Sequence, residues 1–590
     1  MAGTGSERGR FRFGVGQNGG MPDTTATQDQ PADRRIRTHA DAYVDALADL
    51  DPLVGTVLGI RPGDDRMPDL SPEGNAAHDE LRRATLAGLD AIERDGIAGD
   101  GHERRCARLL RERLTARLAV TEIGEHLRPV SNIISPLQSV RNIFTLMPTA
   151  SDDDWAVIAR RMAGVPGTLT GFRAALTEGA RLGLFAAARQ VVAVLGQLAD
   201  WIAAGDGRGW FAEFADRADV PPAIRAELDR NAGTAIEAVA DLRDWLAHWY
   251  LPRTEHTPDG VGADRYRVLV RYRTGADLDL AEAYEWGWTE FRRLTAELAQ
   301  QADRVLPGGG VRAAMTHLDT HGTAVTGVEE IRRWLQDLLD TTIGELDGTH
   351  FDLSDPVKVV QSLIAPKGTA AAPYYSRPAQ DFSRPGRTWL PVRGRTRFPV
   401  WNLVSTWYHE GVPGHHLQFG QWTTLSGELS RFQTGVGSMS ANTEGWALYA
   451  ERLMDELGYL SDPGIRLGYL EAQMRRAIRV IIDIGMHLEL TLPGDAPMAA
   501  GQTWTPDLGR EFFGANTARD DEFLDSEIIR YLGVPAQAIC YKVGERAWLA
   551  GRAAAQSARG ADFDLKSWHT AALGLGALGL DDLTDGLSRL

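Results

Sequence analysis

Residues 407–418 read WYHEGVPGHHLQ. His409 and Glu410 open like the H-E-x-x-H zinc signature. There, two histidines one helical turn apart offer ring nitrogens to one metal, and the glutamate between them takes a proton from the water the metal activates. The pattern departs at i+4, where Pro413 stands; the next histidines are His415 and His416. Pro413 cannot donate to the carbonyl of His409 and its ring would clash there, so a helix over residues 400–411 must bend or end. Gly411 and Gly414 give the chain the freedom to do so. On an unbroken helix His416, at i+7, returns to the face of His409 but ~10 Å along the axis, too far for comfortable joint ligation. A kink or a π-type bulge would instead bring His415 onto the metal. His415 is therefore the preferred second ligand and His416 the alternative. The histidine left over would support the ligands from behind or face substrate.

A catalytic zinc of this kind takes a third protein ligand, commonly a carboxylate. Residues 443–451, TEGWALYAE, offer one. Thr443 is expected to cap a helix, with Glu444 in its first turn as the ligand. Glu451, seven residues on and on the same face, is placed to orient a ligating histidine. Two plainer readings stand beside this one: histidines packed in a core turn around Pro413, and a glutamate pair on a solvated helix face.

Outward from this centre, helical periodicity dominates. Ile331, Leu335, Leu338 and Leu339 fall on one helix face. Asp279 with Glu282 reads as a capping box, and residues 461–463, SDP, open a long helix through Leu467, Leu470, Met474, Ile478 and Ile482. Similar patterns fill residues 32–50, 76–120, 152–250 and 535–557. The best strand candidates are residues 266–272 (YRVLVRY) and 388–392; residues 306–311 and 366–399 are rich in loop-forming residues. No fixed-period repeat and no clean break appear. The expected fold is mostly α: one large multi-helix body over residues 32–590, in two lobes around a central cleft or undivided, with few short strands.

The 590 residues carry 63 Lys+Arg against 80 Asp+Glu, a net charge of −17, and 43% are hydrophobic. That apolar content excludes a largely disordered chain. The acidic balance argues against nucleic acid and against anionic membranes as partners. Cys106 and Cys540 are too few and too far apart for a disulfide framework or a thiolate metal cage, and read as reduced thiols of a cytoplasmic protein. Residues 1–31 lack the apolar core of a secretory signal and are expected to be a disordered extension, with Met21 an alternative start. Residues 182–204 are apolar but include Arg189, Gln190, Gln197 and Asp200, so a buried helix pair is expected there rather than a membrane span. No sequence feature assigns an oligomeric state.

Further polar residues stand where apolar ones are the rule. Arg479, Asp483 and His487 recur at i, i+4 and i+8 among Ile478, Ile481 and Ile482. They form either an intrahelical ion-pair ladder or a polar line buried beside the site. Tyr531, Tyr541 and Lys542 are candidates to stabilise an oxyanion. Arg377, Arg384 and Arg387 either grip a substrate carboxylate or make a solvated loop.

Residues 409–418 strongly resemble the HExxPGHHLQ signature of the DUF885 family. The resemblance continues in 444–451 (EGWALYAE), 476–483 (RAIRVIID) to His487, 527–531 (EIIRY), 535–538 (PAQA) and 541–544 (YKVG). Upstream, Tyr374, Tyr375, Pro378, Asp381 and 384–386 (RPG) fit as well, and the match runs from about residue 35 to the end. Ala536 stands where the family pattern usually has glycine, a departure expected to be harmless. The resemblance implies a mostly helical protein related to helical gluzincin-type zinc metallopeptidases, with a His, His, Glu metal site and Tyr541 as the downstream tyrosine that stabilises an oxyanion. The expected function is a zinc-dependent hydrolase that cuts an amide or peptide bond of a small peptide or peptide-like metabolite. It holds one Zn²⁺, or another divalent ion, on His409, His415 and Glu444, with Glu410 as general base. Two alternatives are a metal-dependent biosynthetic tailoring enzyme (deacylation, cyclisation or oxidation) and a non-catalytic helical binding protein with a vestigial site.

Overall fold

A computed structural model describes residues 33–96, 101–366 and 372–590. The expected N-terminal extension, residues 1–31, lies outside them. The described chain is mostly helical with few short strands. Helices begin where local chemistry favours it. Ser151 and Asp154 exchange side-chain and backbone hydrogen bonds in a full capping box, and Asp462 accepts from Gly464 and Ile465 with Pro463 in the first turn. Asp279 caps its helix too, accepting from Ala281 and Glu282, but the box does not close, because Glu282 pairs with Arg546 at 2.6 Å. In Val328–Leu346, Ile331, Leu335 and Leu339 are fully buried and Leu338 is half-buried, the stripe their spacing predicts.

Several elements differ from expectation. Residues 266–272 are not a strand but part of the helix Ala263–Thr274. Tyr266, Leu269 and Val270, at i, i+3 and i+4, form its buried face, and a packed apolar stripe outweighs the weak strand preference of Tyr and Val. The pattern over 76–120 is two helices, Pro72–Arg94 and Gly101–Glu122. The helix pair expected in 182–204 is a loop followed by one amphipathic helix, Ala188–Ala203. No described helix is long and apolar enough to cross a membrane. The strand expected at 388–392 is Gly386–Leu390. It lies parallel to Val360–Ile364, with Val360 opposite Gly386, and antiparallel to Tyr374–Ser376, with Tyr375 opposite Thr388. It stops before Pro391, which has no N–H for a ladder.

Buried apolar side chains gather in three clusters. One belongs to residues 130–250, and a second joins Arg35–Leu50 and Gly101–Glu122 to residues 419–439. The largest, spanning residues 266–587, surrounds the helix Pro463–Leu488, which is buried on nearly every side. A helix enclosed all round must supply each of its polar side chains with a partner, and those partners lead to the site.

Candidate metal centre

The helix Val404–Glu410 stops at Gly411. The chain turns through a cis Val412–Pro413 peptide, and a second helix, His415–Thr424, begins. The expected kink or bulge is therefore a clean break between two helices. Gly414 donates to the carbonyl of Tyr408 at 2.9 Å, and a Cβ on Gly414 would collide with the carbonyls of Tyr408 and His409. Trp446 Nε1 donates to the carbonyls of Pro413 (2.9 Å) and Gly414 (3.0 Å). Trp446 sits two residues from Glu444 on the helix Ser440–Glu456, so one helix both supplies the carboxylate and pins the turn. That helix starts earlier than expected. Met439, not Thr443, is its N-cap residue, Thr443 Oγ1 donates back to the Met439 carbonyl at 3.3 Å, and Glu444 falls in the second turn.

One ring nitrogen each from His409 and His415 and one oxygen of Glu444 lie within 4.8 Å of one another. Glu444 Oε2 is 3.3 Å from His409 Nε2 and 3.6 Å from His415 Nε2, yet it is buried and accepts no hydrogen bond. Behind His409, Glu451 Oε1 meets Nδ1 at 2.8 Å, and Glu451 is itself held by Ser405 Oγ (2.7 Å) and Arg476 Nη2 (3.2 Å). A carboxylate can only accept, so Nδ1 carries a proton toward Glu451, and Nε2 is the nitrogen that faces Glu444 and His415. Burial opposes charge on His409, but Glu444 and Glu451 outweigh it and raise the imidazole to about 9. Burial likewise opposes charge on Glu444, and the two histidines hold its carboxyl far below the usual range. The site is built to hold positive charge. Two nitrogens, one unsatisfied buried oxygen and an oriented imidazole fit a divalent ion.

His416 is not brought to this group. Its Nε2 donates to the carbonyl of Val357 (2.8 Å), its Nδ1 accepts from the Tyr375 hydroxyl (2.9 Å), and burial lowers it to about 4, so both nitrogens are engaged. Glu410, beside His409, is buried, and no hydrogen bond among the described residues holds its carboxyl. Burial pushes that carboxyl up, while His409 and His415 pull it down. Tyr541 lies in the first turn of Cys540–Arg559, with the guanidiniums of Arg479 and Arg476 at 5.0 and 5.8 Å from its ring centre. Burial, then the charge of Glu444, pushes its phenol up.

The remaining candidates serve elsewhere. Tyr531 donates to Glu527 and accepts from Arg479 Nε at 2.8 Å; Lys542 donates to Gln473 at 2.9 Å and pairs with Glu545 and with Glu290 (3.3 Å). Arg479, Asp483 and His487 chiefly bind groups off their own helix, and along it His487 Nε2 approaches Asp483 Oδ1 at 4.0 Å. Arg479 pairs with Glu527 at 2.7 Å. Asp483 accepts from the Tyr266 hydroxyl (2.6 Å) and the Ala536 N–H (3.0 Å). His487 Nε2 donates to the Tyr531 carbonyl at 3.1 Å. Ala536 holds φ +64°, the left-handed region that favours glycine, so the alanine there is strained rather than harmless. Of the loop arginines, Arg377 donates to Thr434 O (2.7 Å) and Ser438 Oγ (3.2 Å), exposed Arg384 to Arg377 O (2.8 Å), and Arg387 to Gln361 (3.1 Å). All three are tied within their own neighbourhood.

The sequence assigned no role to Ser405, Trp446 or Arg476, although Trp446 and Arg476 fall within the motifs 444–451 and 476–483. Arg476 had a further signal, a charge three residues before Arg479 on an apolar helix; Ser405 had none. Gly445 and Gly544 let the helices Ser440–Glu456 and Cys540–Arg559 cross backbone to backbone, since a Cβ on either would strike the other's main chain.

A family model described as a bacterial protein of unknown function, DUF885, matches residues 52–587. No curated protein matches. Among solved structures, one described as a "putative lipoprotein" from Colwellia psychrerythraea is 21% identical, with a TM-score of 0.79 over 94% of this chain and 98% of that chain. Another so described, of unknown function, from Shewanella oneidensis, is 17% identical, with a TM-score of 0.71 over 93% of this chain and 99% of that chain. At such identities the likeness shows a shared fold alone.

Proposed function

The chain belongs to the DUF885 family of bacterial proteins of unknown function, and from that premise we propose that it is a metal-dependent hydrolase of amide bonds in small peptides or peptide-like molecules. The observation that carries the proposal is the buried Glu444 oxygen, which takes no hydrogen bond although two imidazole Nε2 atoms lie 3.3 and 3.6 Å away. Held by His409, His415 and Glu444, a divalent ion, zinc by its donor set, would polarise an amide carbonyl and acidify water.

The chain's own residues supply the rest. Glu410, free of hydrogen bonds, takes a proton from the attacking water as its oxygen joins the carbonyl carbon. It then delivers that proton to the amine nitrogen as the C–N bond breaks. Burial raises the Glu410 carboxyl, the direction that makes a carboxylate a better proton acceptor. Tyr541 directs its O–H at the oxygen where negative charge develops. Glu451 and Ser405 hold His409 in its tautomer. A cleft-centred, gluzincin-like arrangement and a cytoplasmic location, where the buried thiols of Cys106 and Cys540 stay reduced, complete the proposal.

Metal analysis and turnover of Glu410→Gln test it. The variant is expected to keep about one metal ion per chain and to lose turnover by about 10²–10⁴-fold, the usual worth of a general base. Full turnover in the variant, or wild-type protein that takes up no divalent ion, would overturn it.

A further inference from the structure

A cavity of about 110 Å³ lies among the helices Gly101–Glu122, Ala263–Thr274 and the start of Ser440–Glu456. Arg113, Arg117, Tyr272, Arg273 and Ser440 line it, with apolar Phe432. Three guanidiniums surround the Tyr272 ring, at 4.8 Å (Arg117), 5.2 Å (Arg273) and 5.9 Å (Arg113) from its centre. Arg113 is engaged: it pairs with Glu112 and donates to the carbonyls of Tyr272 (2.6 Å) and Arg271 (3.2 Å). Arg117 and Arg273 are different. Among the described residues neither guanidinium has an ion-pair partner or a hydrogen-bond acceptor, and Arg273 Nε is buried without one.

In a chain of net charge −17, two guanidiniums without an ion-pair partner on one cavity make a local positive charge, tempered at Arg273 by its electrostatic interaction with the Asp483 carboxyl. The phenol at their centre responds to it. Burial alone would raise Tyr272, but Arg117, Arg273 and Arg113 bring it below its ordinary value. The helix Ser440–Glu456 begins at this wall with no side-chain cap, so its N-terminus adds donors and positive potential. Ser440 precedes Glu444 by four residues, one turn on the same face and ~6 Å along the axis. That is roughly the length of one to two residues of extended chain.

We propose that this cavity receives the free carboxylate at the C-terminal end of the substrate while the bond to be cut lies at the His409–His415–Glu444 centre. The inference rests on the hydrolase reading and narrows it. The substrates are short acids, N-acyl amino acids or di- and tripeptides, cut one or two residues from the carboxyl end. Phe432 offers the terminal side chain an apolar wall, which favours small apolar residues. The loop arginines considered for this role from sequence are replaced in it by Arg117 and Arg273.

Calorimetric titration of acetyl-alanyl-alanine and of its C-terminal amide into the full metal-loaded chain tests this, in an E410Q background so that turnover is slow against the titration. The acid is expected to bind at least about tenfold more tightly than the amide, the worth of a charge-assisted hydrogen bond. The preference is expected to collapse toward onefold in Arg117→Gln/Arg273→Gln, with helix content by circular dichroism and metal content intact. Arg117→Gln alone, at an exposed position, provides a folded variant with a partial loss should the double variant be unstable. No preference in the wild-type cavity, or one that survives the double substitution, overturns the inference. Turnover of peptides without such a preference leaves the hydrolase standing and removes the cavity's role. The preference without any turnover keeps the anion site and removes the hydrolase.

Discussion

Between residues 130 and 250 the buried side chains are Phe144, Ile158, Phe172, Leu176 and others like them, and Arg161 is the only charged one among the described residues of that stretch. Around the helix Pro463–Leu488 the same degree of burial takes in Glu451, Glu471, Arg476, Arg479, Asp483, His487, Glu527, Arg530 and Lys542. Apolar burial is non-directional and stabilises whatever shape fills space, whereas each buried charge demands a partner at a set distance. The second region accepts that cost where His409 and Glu444 must be held in one geometry. The first region stabilises by filling space alone, and the second adds fixed positioning to its share of the core.

Phe144→Ala should break the first region without touching the second. Phe144 is fully buried edge-on to Phe211 and Phe214, at 5.6 and 6.2 Å between ring centres. Its truncation is expected to cost about 3–5 kcal/mol in urea unfolding while metal content stays at about one ion per chain. Loss of metal in the folded variant would show that the two regions are not separable in this way.

Acid should act in the opposite sense. Burial alone would raise the Glu471 carboxyl, but Arg475 and Arg519 outweigh it and bring it from 4.5 down to about 2. Because the folded value is the lower one, the stabilisation is complete above pH 4.5 and is lost as pH falls toward 2, about 3 kcal/mol in all. Residues 130–250 bury no carboxylate among the described residues, so hydrogen exchange between pH 5 and 2.5 should loosen Pro463–Leu488 first. Simultaneous loosening of both regions would contradict the contrast.

The smallest effect is expected at Ala536. Glycine adopts φ +64° without a Cβ penalty, so Ala536→Gly should stabilise by about 0.5–1 kcal/mol, read as a higher urea midpoint. A lower midpoint would mean that the methyl's packing outweighs its strain.

Much of the helical body was legible because a periodic apolar stripe is a local signal, and Pro413 made the helix break legible because it cannot continue the hydrogen-bond ladder. Residues 266–272 misled because Tyr and Val carry strand preference while the spacing of Tyr266, Leu269 and Val270 decides the packing. The choice between His415 and His416 turns on distant groups, since Tyr375 and Val357 take both nitrogens of His416 from 41 and 59 positions away. The arginine-lined cavity is invisible in sequence for the same reason. Its wall is assembled from residues near 115, 272 and 440, and no local pattern records that they meet.

The glycine crossing bears on how firmly the spacing of Glu444 and Tyr541 is set. Glu444 adjoins Gly445 and Tyr541 precedes Gly544 by three, so the offset between carboxylate and phenol is fixed by main chain touching main chain. Such a joint has no rotamers to readjust. Substitutions elsewhere in the core can soften the protein and leave that gauge unaltered, whereas a single methyl at the crossing would act as a shim, prising the two helices apart.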